Sequence, residues 1–260
     1  MTVVLQSQFM KRFLWFIFPI AVSLGLWEVI SRSGFVSPAL FPPPSKVAAA
    51  LWGMITAGTL FTDLRDSLWR LLAGLLIGSF FGVIFGLATG RIKSLATALS
   101  PIIQILRPLP PVAIIPLVIV WFGIDDSAKI FSIAFSVFFP VWINTHIGAR
   151  QIPRAFLWSA KLLTRSSVKI FREVVFPAAL PFTIAGIRTG IAVAFIMVFV
   201  SELAGASSGL GYRISITHLA YRIDEMIAAL IVLGALGAIA DQLFVFATHK
   251  FFPWIKFSST

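Results

Sequence analysis

The stretch PRAFLWSAKLLTRSSVKIFREVVFPAALP, Pro153 to Pro181, lies between two long apolar segments. Counted with Arg150, it carries six basic residues, Arg150, Arg154, Lys161, Arg165, Lys169 and Arg172, and one acid, Glu173. It is too short to fold as a domain. The pattern predicts two short helices. The first spans roughly Arg154 to Leu163. The second opens at Ser166 or Ser167, either of which can cap it. Val168, Phe171, Val174 and Val175 recur at helical spacing and form one apolar stripe. Pro177 and Pro181 punctuate the return to the neighbouring apolar segment. A basic helix–turn–helix on the rim of a membrane domain is a natural docking knob for a soluble partner. The competing reading is a topology signal in contact with anionic lipid.

The surrounding chain sets that rim. Of 260 residues, 58% are hydrophobic and only 12% charged, with mean hydropathy +0.96. Soluble domains carry about 25% charged residues, so this chain needs lipid around it. At roughly 20 apolar residues per span, it has room for five or six transmembrane helices and short loops. The fold expected is an all-α integral membrane protein, a polytopic bundle of about six helices forming a single domain over 1–260. There is no cysteine, which excludes disulfides and thiol chemistry. The net charge of +11 is assigned to residues that flank spans and set orientation, not to nucleic-acid binding.

Lys11-Arg12 precede the run FLWFIFPIAVSLGLWEVI. With no small-x-small cleavage site following, this reads as a retained first span, its start in the cytoplasm and Glu28 near its outer end. Residues 31–62 are Pro-rich and then form a short helix with Ser45 as its cap, placed outside. The second span covers about Ser67 to Gly90. Gly74, Gly78, Gly82, Gly86 and Gly90 recur every four residues on one face, which suits close helix packing, static or sliding. The third apolar segment, Leu95 to Phe122, is interrupted by Pro108, Pro110, Pro111 and Pro116 and cannot be one straight helix. Broken backbone at membrane depth is tolerated only beside protein or a water-filled cavity, so this segment points to a pathway. Asp125 and Asp126 form an outer turn. Further spans follow at about Ser127–Gly148, Ala178–Leu203 and Asp224–Thr248.

With both termini inside, twelve Lys/Arg fall on cytoplasmic segments and seven outside or near outer ends, and Arg107 and Arg188 lie within spans. That asymmetry favours this orientation. Ionisable groups within a span cost on the order of 2.5–3.5 kcal/mol and usually face a cavity or a partner. Arg188 and Arg107 are therefore candidate attractors of an anion, and Pro108, Pro111, Asn144, Ser201 and Glu202 are candidate pathway residues beside them. Against this stand snorkelling for Arg107, a carboxylate or carbonyl partner for Arg188, and a helix-end position for Glu202 near the outer mouth. Asp241 stands nearly alone among mid-span acids. His146, His218 and His249 lack metal-ligand spacing, and His146 reads as a span-end residue reaching headgroups. GLGYRIS lacks the lysine of a phosphate-binding loop. No site for nucleotide hydrolysis is legible in this sequence.

The loop resembles the EAA loop of the permease subunits of bacterial binding-protein-dependent ABC importers, in particular the branch for nitrate, aliphatic sulfonates, taurine or bicarbonate. Trp158, Ser159 and Ala160 stand at the Glu-Ala-Ala positions and Thr164 at the glycine, so the front of the motif departs from the family. The closing part, FREVVFPAALP, is similar to it. LRPLPPVAIIPLVIVWFGI, AKIFSIAFSVFFPVWINT and SELAGASSGLGYRI are similar too, and the likeness covers roughly 60–245.

The resemblance implies a MetI-like permease core with residues 150–177 as the cytoplasmic coupling loop. Its contact residues would be Arg154, Trp158, Ser159, Ala160, Lys161, Thr164, Arg165, Lys169, Phe171, Arg172, Glu173, Pro177 and Pro181. It implies two ATPase subunits carrying ATP and Mg, no cofactor on this chain, and a second permease copy making a homodimer. It also implies a periplasmic or lipid-anchored substrate-binding protein, and a location in the bacterial inner membrane. The cargo implied is a small oxyanion: an aliphatic sulfonate or taurine first, then nitrate or bicarbonate. A neutral heterocycle such as a pyrimidine precursor, or an ion-driven secondary transporter, is the alternative.

Overall fold

A computed structural model describes residues 18–106 and 108–254, and every described regular element is helical. Residues 18–32 form α1, followed by α2 (Pro44–Thr56), α3 (Thr59–Arg91) and α4 (Lys93–Leu106). A 3-10 turn (Pro111–Ile114) leads into α5 (Ile115–Phe122), then α6 (Asp126–Arg150) and α7 (Arg154–Leu163). One continuous helix, α8, covers Ser167–Leu203. The chain ends with α9 (Leu210–Leu219) and α10 (Ile223–Phe251).

Four helices, α3, α6, α8 and α10, are long and apolar enough to cross a membrane, and the broken pair α4–α5 makes a fifth candidate. The remaining span expected at the N-terminus is described only from residue 18, where it is helical. At 33 residues, α3 is about 50 Å long, well beyond the ~30 Å hydrocarbon core. It starts at Thr59 rather than near Ser67, so its first turns are polar.

The described residues form two compact units, one of residues up to Phe61 with Arg213–Ile231, the other of Thr62–Tyr212 with residues from Val232. In the first, Glu28 ties α1 to α2. Its carboxylate accepts from the Ser45 N–H (3.1 Å), Ser45 Oγ (2.8 Å) and Arg32 Nε (2.6 Å). Ser45 is thus not the cap expected from the sequence. Pro43 occupies that position, with Pro44 at the first helical position, where its fixed φ fits and its missing N–H is no loss. The exposed amide of the first turn goes to the Glu28 carboxylate, an anion placed favourably at a helix N-terminus.

In the second unit, α6 is the central element, packed against α3 on one side and α8 on another. The five glycines of α3 face α6. A Cβ at Gly74, Gly82, Gly86 or Gly90 would lie 2.6–2.8 Å from Cβ of Ile133, Val141, Thr145 and Ala149 respectively. The contact is closest at Gly78, against the carbonyl of Ala134. Backbone thus meets side chain with nothing between, the approach that only glycine permits. On the α8 side, Gly148 meets Phe182 and Gly186 meets Asn144. Leu71, Ile115, Ile133, Val137, Val141, Ala194, Met197 and Val198 form the buried core between these helices.

The helix leading out of the loop is not short. It continues through Pro177 and Pro181 into the membrane span, where the sequence pattern suggested a break. Just before Pro177, residues Phe171–Val175 wind as a π-turn. A wider turn removes the i→i−4 demand that Pro177, lacking an N–H, cannot meet. Thr164 ends α7 in extended conformation, and the Ser166 hydroxyl caps the next helix by accepting from the Lys169 N–H at 3.3 Å.

Candidate functional site

The loop helix α7 presents an apolar as well as a basic surface. Leu162 and Leu163 are 89% and 87% exposed, with Trp158, Phe156 and Val168 also outward. Arg154, Ser159, Lys161, Arg165, Lys169, Arg172 and Glu173 are exposed, while Ala160 turns inward and is buried. The Val168–Val175 stripe is split: Val168 and Phe171 face out, and Val175 is buried. Two adjacent, almost fully exposed leucines on a short helix make an exposed apolar patch. Trp158 and Phe171 stand among the expected contact residues, whereas Leu162 and Leu163, the most exposed, are not marked by a count of Lys and Arg.

The candidate pathway residues are scattered. Arg107 lies outside the described residues. Pro108 is exposed, and Pro111 begins the 3-10 turn. Asn144 bonds its own helix, donating to the Pro140 carbonyl at 2.8 Å, and Ser201 donates to the Val198 carbonyl at 3.1 Å. Arg188 does have a carboxylate partner: its Nε and Nη2 each lie 2.7 Å from an Asp241 oxygen. Both side chains of the pair remain over a third exposed, at 40% and 36%. Asp241, isolated in the sequence, is thus not alone in space.

Glu202 is the largest departure. It stands at the end of α8, as expected, but it is a buried hub, 1% exposed, and does not face outward. It accepts from Ser67 Oγ (2.8 and 2.9 Å), Arg70 Nη1 (2.8 Å) and the Gly211 N–H (2.9 Å). Arg70 in turn donates to Asp126 (2.8 Å) and to the Ser208 carbonyl (2.7 Å). Ser67 Oγ accepts from the Leu210 N–H at 2.8 Å, and Asp63 accepts from the Gly209 N–H at 3.0 Å. Gly209 has φ +117, and a Cβ there would sit 2.5 Å from the Glu202 carboxylate. The knot ties the turn after α8 to α3 and to the start of α6. A buried arginine–carboxylate pair holds only when its remaining donors and acceptors are met, as they are here. Asp63, Ser67 and Arg70 fall at i, i+4 and i+7, a polar stripe legible in the sequence but hidden by the choice of Ser67 as the span's start.

Near the α7 end of the same unit, His146 is half-buried. Its Nδ1 lies 2.9 Å from Thr89 Oγ1, which also accepts from Trp142 Nε1 at 3.0 Å. No cluster of metal-ligating side chains occurs among the described residues.

The family model for the inner membrane component of binding-protein-dependent transport systems matches residues 74–252. The chain belongs to that family. It is the permease subunit of an ABC importer, not an enzyme, and ATP hydrolysis belongs to a partner subunit of such importers. An Escherichia coli protein named as an aliphatic sulfonates transport permease is 37% identical over 87% of this chain and 86% of its own length. Its Bacillus subtilis namesake is 34% identical over 90% and 85%. The taurine transport system permease of Escherichia coli is 29% identical over 90% and 87%. Among solved structures, an inward-facing methionine ABC transporter matches with TM-score 0.57 at 20% identity, over 76% of this chain and 98% of that one. An amino acid ABC transporter matches at TM-score 0.59 and 18% identity, over 77% and 96%. These two likenesses concern the fold.

Proposed function

We propose that this permease carries a small oxyanion inward, an aliphatic sulfonate or taurine before nitrate or bicarbonate. The observation that carries the reading is its likeness, at 34–37% identity over nearly the whole chain, to two proteins named for sulfonates. Residues 60–245 act as the importer core. Two copies of the chain flank the pathway, because one chain supplies one docking loop and a symmetric dimer supplies two. Two ATPase subunits grip α7 from the cytoplasm, where both termini also lie. A substrate-binding protein delivers from outside. Leu162, Leu163 and Trp158 enter an apolar groove of the ATPase, with Arg154, Lys161 and Arg165 around them as a polar rim. Closure of the ATPases on ATP moves α7, and α8 transmits the movement, since the second half of the loop, from Ser167, and its span are one continuous helix. Tight docking alone does nothing; the contact must differ between the two states. Arg188 and Asp241 line the route, where the arginine draws the anion and Asp241 holds it in the interval.

The test is uptake by the complete importer in proteoliposomes. Labelled taurine or an alkanesulfonate should enter only with ATP and should continue after ion gradients collapse. Uptake of a pyrimidine precursor in place of any oxyanion overturns the substrate, and uptake driven by an ion gradient without ATP overturns the coupling.

A further inference from the structure

A recess opens between the ends of α3, α4 and α6, close to the start of α7. Its inner part, about 270 Å³, is lined by apolar Ala96, Ile103, Trp142 and Ile143 and by polar Thr89, Ser100, Gln104, His146 and Arg150. It continues outward past Arg91, Lys93 and Arg154. Among the described residues, no Asp or Glu lines either part. Arg150 is exposed and makes no ion pair among the described residues. The volume of this inner part is just below that of most ligand pockets, which run about 300–1,000 Å³.

The hydrogen bonding around Thr89 defines the imidazole. The hydroxyl has one proton, and the Phe85 carbonyl lies 2.7 Å away to take it. Trp142 Nε1 can only donate to the same oxygen, at 3.0 Å. His146 Nδ1, at 2.9 Å, is therefore the second donor, which leaves Nε2 as the ring's acidic or basic site. An anion there would take its hydrogen bond from the Nε2–H of the imidazolium, next to the guanidinium of Arg150. The Gln104 amide, held 2.7 Å from Ser100 Oγ, retains a further N–H. The glycine contacts of α3 with α6 hold two walls in place before any ligand arrives.

We propose that this recess binds an oxyanion that carries a short apolar tail, its head at Arg150 and His146 and its tail against Trp142 and Ile103. Two sources share that chemistry, an alkanesulfonate and an anionic lipid. The alkanesulfonate source rests on the oxyanion reading given above. Four cations, with no acid among the described lining residues, focus the field at the mouth, and the apolar residues of the lining favour an amphiphilic ion over a fully hydrated one.

The complete importer is assembled in phosphatidylcholine nanodiscs and titrated with hexanesulfonate. Wild type should bind saturably, Arg150→Gln should weaken binding by about tenfold or more, and Ala96→Phe, which fills the recess without removing charge, should abolish it. In a second arm, phosphatidylglycerol replaces part of the lipid. Retention of that lipid by wild type but not by the two variants, with loss of hexanesulfonate binding, supports the same site with a lipid head in it. If neither probe responds to Arg150→Gln or Ala96→Phe, the site does not exist. Should Arg150→Gln fail to assemble, Ala96→Phe decides alone. Sulfonate uptake with no such binding overturns the recess and leaves the transport reading intact. Recess-dependent binding in an importer of neutral cargo supports the recess and overturns only that reading.

Discussion

A methyl group added at Gly82 tests the helix contact on which the transmembrane core rests. In the structure that Cβ lies 2.8 Å from Val141 Cβ, 2.9 Å from Val141 Cγ1 and 3.0 Å from the Phe138 carbonyl oxygen. Carbon atoms meet comfortably at about 3.5–4.0 Å, so α3 and α6 must part by roughly 1 Å. The obstacle is a Cβ and a backbone carbonyl, neither of which can swing away. Overpacking of this kind costs about 1–3 kcal/mol. Against it stands the preference of a helix for alanine over glycine, about 1 kcal/mol. Gly234, in α10, isolates that opposing term, because nothing lies within 4 Å of its added Cβ. Gly234→Ala should therefore be neutral or stabilising, and Gly82→Ala should fall below it by about 1–3 kcal/mol. At about 2–4 °C per kcal/mol for a chain of this size, the difference is visible in thermal unfolding followed by tryptophan fluorescence in a single detergent. Moving the glycine across the interface, Gly82→Ala with Val141→Gly, should be less destabilised than the two single changes added together. If Gly82→Ala melts as high as Gly234→Ala, the close approach is not present in the protein.

Arg70→Met should destabilise by about 3–5 kcal/mol, because it leaves the buried Glu202 carboxylate unpaired, and Arg70→Met with Glu202→Leu should recover most of that loss in the same melting assay. Arg188→Gln, by contrast, should change stability by less than about 1 kcal/mol at a pair this exposed while lowering oxyanion uptake. The exchange Arg188→Asp with Asp241→Arg should preserve stability and not restore uptake; full uptake by either variant removes the pair from the route. Leu162→Asp with Leu163→Asp should leave the permease's melting curve unchanged and strip the ATPase during purification, and undiminished copurification refutes α7 as an apolar dock. Thr89→Val should cost about 1–3 kcal/mol by orphaning Trp142 Nε1 and His146, and a Tm equal to wild type refutes the shared hydroxyl.

Some of this was legible from order alone. The apolar runs, the glycines at every fourth position and the serine before a helical stripe are local patterns, and an α-helix turns local spacing into a shared face. The loop's first helix, Arg154 to Leu163, follows from such spacing, and so does the break at Pro108–Pro111. The rest depended on which faces meet. Ser45 resembles a cap until Glu28 reaches it. Pro177 resembles a stop until a π-turn upstream absorbs it. Asp241 and Arg188 lie 53 positions apart, and Arg70 and Glu202 lie 132 apart. No periodicity links residues at such distances, and only the packing of α3, α6 and α8 decides that a carboxylate near the end of one helix becomes the buried centre of three.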